Sequence, residues 1–148
     1  MGNIVTVKEH SKGTSERSRP KNGKMGGVYT QDVLARGHHL YADEPEDLGG
    51  TDLGPSPFEF VLAGLGSCTT ITLRMYANRK KWPVAHIGVD VSYKKSGFGA
   101  DMKSVFIRKI TIEGDLDEAQ LKRMMAIANK CPVHKMLEAE TEIQTEWV

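Results

Sequence analysis

Residues 54–81, GPSPFEFVLAGLGSCTTITLRMYANRKK, constrain the fold more than any other stretch of the chain. Ser56 is a good N-cap, Pro57 suits the first helical position, and Glu59 stands three residues after the cap. That Ser-x-x-Glu arrangement lets the two side chains satisfy otherwise orphaned amide groups reciprocally. From Phe58 to Leu73, Glu59 carries the sole charge, and apolar or small residues fall all round the helix. A helix with no polar face has to be covered on several sides. Ala63, Gly64, Gly66 and Ser67 permit close approach by other backbone, at a cost in intrinsic helix propensity. A helix from residue 57 to 79 runs about 33 Å at 1.5 Å per residue, against a radius of gyration of about 15 Å for a compact chain of this length. It spans the domain, and a partner subunit is well placed to help cover it. Cys68, near its middle, is then either inert core or a deliberate site.

One domain, 1–148, is the expectation for a chain of 148 residues. A formal net charge of +1 argues against a dedicated nucleic-acid binder and against a trap for acidic substrates. The opening MGNIVTVKEH has no apolar core of a secretory signal, and the 58–73 run is too short and too interrupted for a membrane span. Two cysteines in such a chain are expected as reduced thiols or a redox pair, and the cytoplasm is the expected location.

In order along the chain, residues 4–8 alternate as a first strand, and 10–24 (HSKGTSERSRPKNGK) form a polar, basic, mobile loop. Residues 27–35 and 38–42 are two strands joined by a tight turn at Arg36-Gly37. Residues 43–54 form an acidic, glycine-rich loop leading to the helix cap. Trp82-Pro83 stops the long helix. Ile87, Val89, Val91 and Tyr93 then alternate as a half-buried strand. A further strand over 102–112 puts Phe106, Ile110 and Ile112 on one face together with Arg108, a charge that a core partner or a strand edge would explain. Asp115 and Glu118 pair as a cap opening a helix to about residue 130, with Leu121, Met124, Met125 and Ala128 as its core stripe. Cys131-Pro132 ends that helix, a short turn follows, and 142–148 alternates as a closing strand. The fold class is α+β.

The two thiols differ in setting. Cys68, mid-helix, lies beyond the first turn, where a helix dipole acts on acidity, so reactivity there requires a nearby cation. At an ordinary thiol pKa about 3% is ionised at pH 7, so full ionisation gains at most roughly thirtyfold in attacking species. Cys131 ends one helix and stands ahead of the turn begun by Pro132. The two dipoles act on its thiolate with opposite signs, and the sequence leaves the winner open.

The stretch GGTDLGPSPFEFVLAGLGSCTT, followed much later by NKCPVHKML, resembles the OsmC/Ohr family, the osmotically inducible protein C and organic hydroperoxide resistance proteins. The resemblance runs from about residue 48 to the C-terminus, and ADEPEDLGGTDLGPSP and LRMYANRKKWP are similar to the branch also found fused to α/β-hydrolases. It implies antiparallel sheets packed around a long central helix in an intertwined homodimer, with both cysteines near the subunit interface. It also implies thiol-dependent reduction of organic hydroperoxides. By that resemblance Cys68 is expected to attack the peroxide oxygen and become a sulfenic acid, Cys131 to condense with it to a disulfide, and an external dithiol to reset the pair. The glutamate that holds an arginine against the thiolate in family peroxidases falls at position 58, which is Phe58 here. Glu59 lies one residue on, about 100° round the helix, and also serves the cap. The family arginine comes from the N-terminal region; Arg36 is the candidate, with Arg17 and Arg19 behind it.

An apolar cleft beside Phe58, Phe60 and Leu65 is the expected seat for the organic tail. Cys131-x-x-His134 with Cys68 and the pair His38-His39 offers too few closely spaced ligands for structural zinc, and neither a metal nor a cofactor is expected. Gly66-Ser67-Cys68-Thr69 lacks the Gly-x-Ser-x-Gly elbow of serine hydrolases. The expected partners are an organic hydroperoxide, an external dithiol and a second copy of the chain, without nucleic acid or membrane. The rival expectation is a small-molecule binding or interaction domain that keeps the fold and thiols without turnover.

Overall fold

A computed structural model describes residues 4–10 and 26–147. Apart from His10, the loop expected over 10–24, with Arg17 and Arg19, lies outside them. The chain divides into two compact units, residues 1–61 and 62–148, and the boundary falls inside the long helix.

In the first unit, strands β1 (Val5–Glu9), β2 (Gln31–Ala35) and β3 (His38–Ala42) form an antiparallel sheet in that order. The Arg36-Gly37 turn closes β2 onto β3 in the register Ala35 to His38, and Arg36 itself takes the left-handed φ of 56°. The following loop is tied around Asp43, whose carboxylate is 1% exposed. It accepts from Thr51 Oγ1 at 2.6 Å, Glu44 N at 2.8 Å, Thr30 Oγ1 at 3.0 Å and Leu53 N at 3.2 Å. Burial alone would raise the Asp43 pKa, but these bonds outweigh it and hold the carboxyl below its ordinary value. Gly50 and Gly54 admit no side chain, because a Cβ on either would strike the carbonyl of Glu44 or of Tyr41.

Helix α1 (Pro57–Lys80) starts where the cap predicts. Ser56 N donates to Glu59 Oε2 at 2.7 Å, and Glu59 N donates weakly to Ser56 Oγ at 3.4 Å. It ends with Lys81 in the left-handed region and Trp82 N bonded to the Ala77 carbonyl at 3.0 Å, ahead of Pro83. Among the described residues no helix is long and apolar enough to cross a membrane.

In the second unit, β4 (Val84–Ser96) and β5 (Lys103–Gly114) form an antiparallel hairpin. Its register sets Ile87, Val89, Val91 and Tyr93 opposite Ile112, Ile110, Arg108 and Phe106, so the two alternations form one face. A Cβ on Gly66 would lie 3.1 Å from Val91 Cγ2, which is the close helix-to-strand approach that a small residue permits. Leu73, Tyr76 and Ala77 of α1 pack with Val84 and with Met124, Ile127 and Ala128 of helix α2 (Glu118–Ala128). Trp82, Ile87, Ile110, Ile112 and Leu116 seal that core.

Four local expectations need correction. Helix α2 is capped by Asp117 and Gln120, not by Asp115 and Glu118: Gln120 N donates to Asp117 Oδ1 at 2.7 Å and Asp117 N to Gln120 Oε1 at 2.9 Å. Strand β5 continues to Gly114, so Asp115 and Leu116 are spent on the turn. In the core stripe, Met124 is fully buried but Met125 is 55% exposed, and Leu121 is exposed too. The segment after Pro132 is not a turn but a short helix, α3 (Pro132–Glu138). Residues 141–147 pair with no strand among the described residues, and Ile143 and Trp147 stand exposed. Alternation records a pattern of side chains; a strand also needs a neighbouring backbone to bond. The α+β class, with antiparallel sheets and one long helix, is as expected.

Candidate active site

Cys68, on α1, and Cys131, the residue that caps α3, meet side by side with both thiols free and in hydrogen-bonding contact. Cys68 is half-buried and Cys131 fully buried. Local chemistry explains both placements. Pro132 is pre-shaped for the first turn of α3, which leaves Cys131 at its N-cap with extended ψ. Leu65 and Thr69 face the interior on either side of Cys68 along α1.

The surroundings push the two thiols apart in acidity. Burial raises the Cys68 pKa, and so does its thiol neighbour, against opposing hydrogen bonds from the Val133 amide and the Thr72 hydroxyl. Burial would also raise Cys131, but hydrogen bonds from Cys68, the His134 amide, the Thr69 hydroxyl and the Val133 amide together hold it below an ordinary thiol. The lowering at Cys131 comes first from the Cys68 thiol, and the amides that open α3 add to it. Cys68 is thus the weaker acid of the pair and Cys131 the stronger.

Arg108 resolves the oddity of a charge on the apolar face of β5. Its Nη1 donates to Thr69 Oγ1 at 2.9 Å and to the Ala128 carbonyl at 3.0 Å. Its Nη2 donates to Asn129 Oδ1 at 3.0 Å and to His134 Nδ1 at 2.7 Å. A guanidinium can only donate, so His134 Nδ1 accepts and the neutral ring carries its proton on Nε2, 3.3 Å from Glu138 Oε2. With both ring nitrogens so engaged, His134 serves this polar cluster. A cleft of about 230 Å³ is lined by Leu65, Phe106, Arg108, His134, Leu137 and Glu138, with Ser104 at its margin.

The other expected site residues fall as follows. Leu65 is buried and lines that cleft. Phe58, exposed, and Phe60, half-buried, stand in the first turn of α1 and belong to the first unit. Glu59 is exposed and engaged with Ser56, and these hydrogen bonds lower its pKa. Arg36 occupies the β2–β3 turn of the first unit. Sequence reasoning passed over Thr69, weighed His134 only as a metal ligand, and noted Arg108 without giving it a task. A charge alternating with Phe106 and Ile110 was the available signal.

A family model described as OsmC-like protein matches residues 49–146. No curated protein matches the chain. Among solved structures, the chain is similar to an OsmC-like protein from Mycoplasma pneumoniae, with 17% identity, a TM-score of 0.67, and coverage of 93% of this chain and 88% of that one. It is similar to an organic hydroperoxide resistance protein OsmC from Legionella pneumophila, at 18% identity and a TM-score of 0.60 over 90% and 88% of the two chains. It is also similar to an OsmC-like protein of unknown function from Vibrio cholerae, at 15% identity and a TM-score of 0.65 over 95% and 96%. At such identities the likeness is one of fold.

Proposed function

The chain belongs to the OsmC-like protein family, and from that premise we propose that it is a thiol-dependent peroxidase reducing organic hydroperoxides through Cys68 and Cys131. The Legionella relative's description as an organic hydroperoxide resistance protein supports a peroxide-related role. The single observation that carries the reading is the contact between two free thiols drawn from distant parts of the chain. Cys68 is the more exposed of the two and takes the role of attacking sulfur. Its sulfur bonds to a peroxide oxygen, the O–O bond breaks, and the alcohol departs with a proton, leaving a sulfenic acid at Cys68. The Cys131 sulfur then displaces that hydroxyl as water and closes a disulfide. An external dithiol reopens it by exchange. The organic tail is assigned to the cleft containing Leu65 and Phe106. A homodimer and a cytoplasmic location go with this reading as family expectations.

The test is loss of cumene hydroperoxide with a dithiol donor. Wild type turns over and Cys68→Ser does not; equal rates would remove the peroxidase reading. One observation favours the rival, a binding domain without turnover: burial holds the Cys68 thiol up, and among the described residues none of the groups that shift it is a cation. Absence of turnover in wild type, with a small hydrophobic molecule bound in the cleft, would establish that rival.

A further inference from the structure

We propose that Arg108 is a positioning residue of the thiol site, which holds Thr69, His134 and the chain entering Cys131 so that the Cys131 sulfur receives the proton of Cys68. The inference rests on the dithiol reading above for its consequence, but not for its test.

Arg108 reaches three elements from β5. It bonds a side chain of α1, the last carbonyl of α2 with the Asn129 side chain beyond it, and the ring of His134 on α3. Its two terminal nitrogens bear four N–H groups, and four acceptors use them. A guanidinium so committed acts through its neighbours. The Ala128 carbonyl that receives Nη1 at 3.0 Å also receives the Cys131 amide at 3.3 Å, so Arg108 pins the backbone from which Cys131 projects. Positive charge at a helix C-terminus is itself favourable.

Thr69 provides the second route. Its hydroxyl has one proton and three neighbours: Arg108 Nη1, the Leu65 carbonyl at 2.7 Å, and the Cys131 sulfur. Because Arg108 only donates, the hydroxyl proton is left to choose between the carbonyl and the sulfur. It bonds Leu65 while Cys131 is a thiol and can turn to the sulfur once Cys131 is an anion. His134 provides the third route: Arg108 fixes its ring, and its backbone amide points at the same sulfur.

The consequence is a proton relay within the dithiol. In its thiolate form, Cys131 takes the proton of Cys68 as the S–O bond forms. It passes that proton to the departing alkoxide as the O–O bond breaks, giving the alcohol. Cys131, again an anion, then attacks the sulfenic sulfur and releases hydroxide, which solvent protonates. The titratable groups around the relay are Cys68 of α1, Arg108 of β5, and His134 and Glu138 of α3.

The test titrates Cys131 alone, in a Cys68→Ser background, by the ultraviolet absorbance of its thiolate against pH. Losing one hydrogen bond to an ionised group changes its ionisation by roughly tenfold. Arg108→Gln and Thr69→Val are therefore expected to hold about tenfold less thiolate than the parent at a fixed pH on the rising limb, while Thr69→Ser titrates like the parent. Asp43→Asn, which lowers stability in the first unit, leaves the curve in place and so separates positioning from general stability. If Arg108→Gln does not fold, Arg108→Lys takes its place, with a smaller change in the same direction. Parent-like curves for Thr69→Val and the Arg108 variant would overturn the proposal. No peroxide is consumed in this measurement, so its outcome is independent of whether Cys68 supports turnover.

Discussion

Arg108 Nη1 donates to Thr69 Oγ1 across 2.9 Å, joining strand β5 to helix α1 between residues thirty-nine apart in sequence. With its bonds to Ala128 and His134, the same side chain ties together the elements that carry both sulfurs. Arg108→Met keeps the aliphatic stem but leaves partly buried acceptors without a donor. It is expected to lower stability by about 1–3 kcal/mol, read from urea unfolding; a loss under 0.5 kcal/mol, the usual range for surface changes, would mean that water replaces the guanidinium.

The thiol pair makes a stoichiometric prediction. One equivalent of organic hydroperoxide is expected to consume two thiols per chain in wild type and to leave a sulfenic acid at Cys68, trappable by a dimedone probe, in Cys131→Ser. A wild-type protein that stops at the sulfenic acid with Cys131 still reduced would refute the resolving role of Cys131, while leaving attack by Cys68 intact.

Asp43 sets an acid limit on the first unit. Its folded pKa lies below the ordinary carboxylate value because Thr51, Glu44, Leu53 and Thr30 donate to it against the cost of burial. The unfolded chain therefore binds the proton more readily. The stability contributed is complete above the ordinary value, near pH 4, and is lost as pH falls through the folded one. Asp43→Asn is expected to flatten this part of the acid-unfolding curve and to cost about 1–3 kcal/mol at neutral pH. An unchanged acid midpoint would contradict the assignment.

Two adjacent methionines are expected to respond differently. Met124 is fully buried, and Met124→Ala should cost about 2–5 kcal/mol. Met125→Ala, at an exposed position, should stay within about 0.5 kcal/mol. Thermal unfolding of the two variants side by side checks the pair, and equal losses would show that Met125 is covered in solution.

The start of α1 separates capping from catalysis. Ser56→Ala is expected to cost about 1 kcal/mol. Glu59→Gln keeps an acceptor for the Ser56 amide, which a capping box tolerates, and should leave hydroperoxide turnover within about twofold of wild type. A large loss of turnover at unchanged stability would return Glu59 to the catalytic role that the family pattern suggests.

What the residues determine alone is whatever is settled within a turn or two of backbone. The Ser56–Glu59 cap, the stop at Trp82-Pro83, the Arg36-Gly37 hairpin and the alternations on β4 and β5 rest on dihedral preference and on partners a few positions away. All could be read directly, as could the two cysteines and the family to which their motifs belong. Reading failed where two local solutions compete, as at Asp115 and Asp117, or where a pattern needs a neighbour from elsewhere, as at 142–148. The identity of Arg108's partners, the proximity of Cys68 to Cys131 and the hydrogen bonds from Cys68 and Thr69 that help lower the Cys131 pKa were decided only by tertiary structure. Each depends on where the hairpin register and helix packing bring groups from distant parts of the chain, and burial there makes hydrogen bonds, rather than solvent, set the acidity of a thiol.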